Sequence, residues 1–211
     1  MRSYKQGTNV KSRNQVIEQI EKVHPLKMIN CLLIAASCLV FAIIIFFFIR
    51  HLAYEAKVNE KLLLPDFFVI STFILLASYH FSSRLINDYM FDAITELRIK
   101  LSYILISAVL FFLSQSIAWM EILQLDMIYS KGATVAYLFI LCGLHFVFVM
   151  VGIARAALLF YKYMLVENDP VKTLITTTNP VERVKLEVFQ DFWNFNILSW
   201  TLLFLLFLFV F

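Results

Sequence analysis

The chain is poor in most of what builds a soluble fold. Its 211 residues include only 4 Gly, 4 Pro and 3 Cys, and 16% are charged, where a soluble domain carries about 25%. With so little glycine there is no Gly-rich phosphate loop. Cys31, Cys38 and Cys142 form no C-x-x-C pair and sit in apolar runs. They read as small packing residues, not as metal ligands or disulfide partners. No H-x-x-x-H spacing suits zinc. The net charge of +3 is modest, and with so little polar surface it gives no reason to expect nucleic acid. Period-two alternation is missing, which excludes a membrane β-barrel. The first 25 residues lack an apolar core followed by a small-residue cleavage site, so no cleavable signal peptide is expected.

Apolar residues make up 61% of the chain, with 22 Phe, and mean hydropathy is +0.80. This is the composition of an integral membrane protein. Runs long enough to cross a bilayer occur at about 28–49, 64–83, 101–125, 133–163 and 186–211. The expected fold is all-α, a polytopic bundle of five transmembrane helices forming one membrane domain over 1–211. A polar tail covers 1–25, and 168–178 is expected to be a loop. The last helix has a readable start in "TTTNPVERVKLEVF": Asn179 suits the N-cap, Pro180 the first helical position and Glu182 the third. Fourteen Lys and Arg fall in the tail, the loop after the second helix and the segment around 155–185. The other four are Arg50, Lys57, Lys61 and Lys131. The positive-inside rule then places the N-terminus in the cytoplasm and the C-terminus outside.

Few side chains in the spans invite chemistry. Of the four His, only His80 and His145 lie within membrane segments, differing in depth by about 6 Å at the helical rise of 1.5 Å per residue. A b-type haem between them is one reading. A hydrogen bond from His145 to a neighbouring helix is the plainer one. Glu121, Arg155, Glu187 and Asp191 all fall towards helix ends, where Arg155 can snorkel and Glu187 and Asp191 suit a solvated helix start. A proton or ion pathway would need charge at mid-membrane, and a small transporter would need a broken helix or polar cavity. Asn194, Asn196 and Ser199 form a polar cluster in the fifth helix that suits bonds to a neighbour. The Phe-rich faces would pack on lipid tails or another subunit. Lys27, Arg84, Lys100 and Lys162 form a basic edge suited to phospholipid headgroups.

Across all five helices the chain resembles subunit III of the haem–copper terminal oxidases (cytochrome c or quinol oxidases), in its short five-helix form. "HPLKMINCLLIAASCLVFA" is similar to the family's H-P-x-K-F opening and L-x-x-x-S-E run, with Ser37 on the family's Ser. "LPDFFVISTFILLASYHF" resembles its S-T-x-x-L-L-x-S through Ser71, Thr72, Leu75, Leu76 and Ser78, after Pro65. "LSQSIAWMEIL" matches Q-x-x-x-W through Gln115 and Trp119. "GLHFVFVMVG" resembles G-L-H-x-x-H-x-x-x-G through Gly143, Leu144, His145 and Gly152. "EVFQDFWNFNILSWTLLF" resembles the fifth-helix motif through Glu187, Trp193, Phe195, Trp200 and Phe204. The departures are Cys38, Phe148, Asn194 and Ile197, which stand where the family has acidic or His residues.

The resemblance implies a subunit with no catalytic residue and no metal or cofactor of its own. It implies haem and copper in partner subunits, above all the catalytic oxidase subunit I, with other respiratory-complex subunits nearby. It also implies bound structural phospholipid, support of proton uptake during turnover, and a place in a bacterial-type cytoplasmic membrane. On this view His145, Gly143, Gly152, Glu187, Trp193, Phe195, Trp200, Gln115, Trp119, Ser71 and Thr72 are structural or interaction residues.

Overall fold

The computed structural model describes residues 24–55, 65–124 and 132–210. Residues 1–23 of the tail lie outside them, as do the expected helix ends at 64, 125 and 211 and the cations Lys57, Lys61 and Lys131. Among the described residues there is no strand. Seven helices follow in order among these residues: α1 Pro25–Glu55, α2 Asp66–Ser82, α3 Leu85–Met90, α4 Ile94–Gln124, α5 Gly132–Glu167, α6 Pro170–Thr177 and α7 Pro180–Val210. Five stretches among the described residues are long and apolar enough to cross a membrane: α1, α2 continued by α3, α4, α5 and α7. The chain is an integral membrane protein.

Helix α2 packs on α4, α4 on α5, α5 on α7, and α7 back on α2, which closes a ring of four. Helix α1 lies outside the ring against α5 and α7. Its most apolar window is 17% buried, against 44% for that of α7. The sequence explains the difference: α1 is apolar on every side, so it has no stripe that must be turned from lipid. Helix α7 carries two Trp and two Asn, and Trp193, Trp200 and Asn196 are buried at the centre of the ring.

The helix ends follow local rules. Asn179 caps α7, its Oδ1 accepting from the Val181 amide at 3.0 Å. The segment 168–178, expected as a loop, contains α6. Asp169 is its N-cap, accepting from the Val171 and Lys172 amides at 3.0 and 3.3 Å, with Pro170 in the first turn. Between α3 and α4 the chain turns at Asp92, which adopts φ 56°, a left-handed conformation that Asp tolerates better than most residues. The Tyr89 hydroxyl lies within hydrogen-bond distance of the carbonyl oxygens of Thr176 (2.8 Å) and Asn179 (2.9 Å). Those carbonyls also accept the amides of Asn179 (3.3 Å) and Glu182 (3.1 Å), so α3 is tied to the α6–α7 turn.

Candidate functional site: a buried polar seam

In a bilayer a polar side chain must find its partner inside the protein. Helix α2 meets this in two stages. The hydroxyls of Ser71, Thr72 and Ser78 each donate to a carbonyl of their own helix, at Phe68 (2.9 and 2.7 Å) and Leu75 (2.6 Å). Their lone pairs then accept from the facing helices. Trp200 Nε1 donates to Thr72 Oγ1 at 3.0 Å and Trp193 Nε1 to Ser78 Oγ at 3.0 Å. Gln115 Nε2 of α4 donates to Ser71 Oγ at 2.5 Å. Further along, Ser82 Oγ donates to Asn194 Oδ1 at 3.0 Å. The result is a line of hydrogen bonds joining α2 to α7, with one branch to α4.

Two residues of α5 complete the seam. Gly152 lies under Trp193: a Cβ there would stand 2.9 Å from the indole Cζ3 and 3.0 Å from Cε3. Glycine is therefore required for this approach. His145 is buried and its Nε2–H donates to the Asn196 carbonyl oxygen at 3.0 Å. That oxygen also accepts from Ser199 Oγ at 3.0 Å. The imidazole packs beside Trp200 (centroids 5.0 Å) and Phe111 (5.9 Å), which also touch each other (5.1 Å). Within this cluster Asn196 turns its amide to the Phe192 carbonyl (2.9 Å).

The structure thus brings together Ser71, Thr72, Gln115, His145, Gly152, Trp193 and Trp200. Other expected residues stand apart. Trp119 packs on Phe139 and Phe146 (5.6 and 5.7 Å) and Phe195 on Phe148 (6.2 Å). A Cβ on Gly143 would meet nothing within 4 Å, so no close approach requires glycine there. Glu187 pairs with Lys27 at the start of α1 and accepts from Arg183 Nε at 2.9 Å. His80 lies on the exposed side of α2, away from the buried side that carries Ser71, Thr72 and Ser78. Depth along two helices said nothing about their rotation, so the pairing of His80 with His145 gains no support.

Three of the four headgroup cations are already engaged. Lys27 pairs with Glu187, Lys100 with Asp88 (2.5 Å) and Lys162 with Glu182. Arg84 is exposed. Sequence reasoning did not single out Ser82, Asn30 or the burial of Glu182, whose carboxylate also takes Lys185 at 2.8 Å. In the sequence Glu182 reads only as a helix-start residue. Nothing in a linear pattern shows that Lys162 of α5 lies across from it. Among the described residues no group of three or more His, Cys, Asp or Glu is placed to hold a metal ion.

Fold and site together define a polytopic α-helical membrane protein whose buried polar groups fasten its helices to one another. No protein-family model and no curated protein matches the chain.

Proposed function

We propose that this chain is a non-catalytic accessory subunit of a haem–copper respiratory oxidase. It packs against the catalytic subunit in the cytoplasmic membrane, with its N-terminus in the cytoplasm and its C-terminus outside. Haem and copper belong to the partner subunits. This chain shields one face of the catalytic subunit, retains phospholipid there, and so keeps proton-entry groups ordered during oxygen reduction.

The observation that carries this reading is the seam. Residues from four separate motifs of the resemblance meet in it: Ser71, Thr72 and Ser78; Gln115; Gly152; Trp193 and Trp200. Their donors are spent on one another or on carbonyls of α2, which suits a rigid docking body. The apolar outer faces of α1 and α4 are left for lipid or a partner. The test is affinity purification of the tagged chain from native membranes, with identification of what comes with it. A haem–copper catalytic subunit in stoichiometric amount is the expected result. A chain that purifies alone with reduced-haem bands of its own would refute the proposal.

A further inference from the structure

Beside the start of α1, a cavity of about 410 Å³ opens between α5 and α7. Its cations are Arg155 and Lys162 of α5 and Lys185 of α7, and its carboxylate is Glu182 of α7. Lys162 and Lys185 share that single carboxylate. Among the described residues Arg155 has no carboxylate partner. One guanidinium nitrogen reaches Asn30 Oδ1 at 3.3 Å, and the group lies 4.7 Å from the centre of the Phe192 ring. Three cations thus face one anion, and Arg155 sits within a spanning helix. Such a charge is costly unless an opposite charge or water meets it. Beside the cations the wall is apolar, built from Leu158, Val188 and Phe189. A fitting occupant brings negative charge and apolar side chains together.

The chain carries such a segment next to the cavity. Leu26, at the start of α1, is part of the cavity lining. Just ahead of the described residues, positions 17–21 read "IEQIE". Glu18 and Glu21 are the only carboxylates before Glu55. Glu21 is five residues from Leu26, a reach of about 17 Å for extended chain. We propose that residues 17–21 dock in this cavity. Glu18 and Glu21 face Arg155 and Lys185, and Ile17 and Ile20 lie against the apolar wall. Two carboxylates answer the surplus of two cations. The proposal is confined to 17–21, because the charges ahead of it (Arg2, Lys5, Lys11 and Arg13) have the wrong sign. Docking there straps the start of α1, the helix outside the ring of four, onto α5 and α7. The inference rests on the cavity, its charges and the adjoining sequence, and does not depend on the oxidase reading.

The experiment uses the full chain, purified in mild detergent and treated with a zero-length carbodiimide, which joins a carboxylate to an amine only where the two touch. Peptide mass spectrometry should find Glu18 or Glu21 joined to Lys185 or Lys162. Amides of Glu182 with the same two lysines are the control for an intact charged end. Hydrogen exchange of the 17–21 amides is measured alongside. It should speed up about twofold to fivefold in Arg155→Gln, in Lys185→Gln and in Glu18→Gln/Glu21→Gln, the worth of one or two ion pairs near a surface. Lys172→Gln should have no effect, since Lys172 is exposed and pairs with Asp169 outside the cavity. If Arg155→Gln does not fold by circular dichroism, Lys185→Gln and the double glutamine variant decide. Unchanged exchange in those folded variants would overturn the inference, as would absence of the cross-link while the Glu182 control forms. An equal mixture of isotope-labelled and unlabelled chain separates the remaining occupants. Cross-links joining labelled to unlabelled chains would give the cavity to a second copy. A phospholipid retained equally by the native chain and by the double glutamine variant, with no cross-link in either, would give it to lipid. Either result would contradict the proposal.

Discussion

A histidine in the apolar stretch 143–152 is costly unless its ring nitrogen finds a partner. The Asn196 carbonyl is that partner for His145, and the two aromatic rings beside the imidazole supply the packing. His145→Leu keeps much of the volume and removes the donor. It should lower stability by about 1 kcal/mol, the net worth of a hydrogen bond, measured by thermal unfolding in detergent. An unchanged unfolding temperature would mean that the bond contributes nothing. Gly152→Ala should cost more, about 1–3 kcal/mol, because the added methyl displaces a close-packed indole. The same change at Gly143 should be close to neutral, since nothing lies near its Cβ position. Equal effects at the two glycines would contradict the packing described.

At the scale of elements, the spans were legible because long apolar runs have few other uses. Helix ends were not. Helix α4 starts at Ile94, well before the apolar run at 101, and α5 continues to Glu167. Hydropathy marks where a helix meets lipid. The helix itself runs on into water, held there by pairs such as Arg98 with Glu167 (2.7 Å). Helix α6 was missed although its signal was present. Asp169–Pro170 repeats the cap-and-proline pattern of Asn179–Pro180, but eight residues are too few to show an apolar period. The seam was legible as a set of residue types, not as pairs, because pairing depends on helix rotation. A double-mutant cycle on Thr72→Val and Trp200→Phe measures one such pair. Its coupling should be about 0.6 kcal/mol and not above about 1.7, the range for hydrogen bonds between membrane helices. Zero coupling would separate the two side chains.

Asp169 gives a pH-dependent test of the α6 cap. The hydrogen bond from the Lys172 amide, aided by the Lys172 ammonium, holds its carboxyl below the usual range. A folded value below the unfolded one means that the cap contributes in full above the unfolded pKa of about 3.9. It is lost as pH falls through the lower folded value. Amide exchange at Val171 and Lys172 should therefore accelerate in acid, beyond its intrinsic trend. In Asp169→Asn, which caps without titrating, that extra acceleration should vanish. Its persistence in the Asn variant would assign it to another group.

Across the whole molecule, charge and apolar surface are sorted by end. The ion pairs of Lys27, Arg98, Lys100 and Lys162 all lie where α1 and α7 begin, α2 ends, α4 begins and α5 ends. That end should face the cytoplasm. An impermeant thiol reagent on intact cells should label Tyr54→Cys, at the exposed far end of α1, and should leave Arg84→Cys unlabelled until the cells are opened. The reverse pattern would invert the topology. On the function proposed above, the apolar outer faces and this charged end serve to dock and to hold lipid, and the chemistry lies in the partner. The most direct measurement is oxygen consumption over time by the purified complex with and without this chain, recorded together with its haem spectrum. The account predicts intact haem bands and a near-normal initial rate, followed by faster inactivation and slower turnover at high pH once the chain is removed. Immediate loss of the haem bands, with that haem found on the isolated chain, would contradict it.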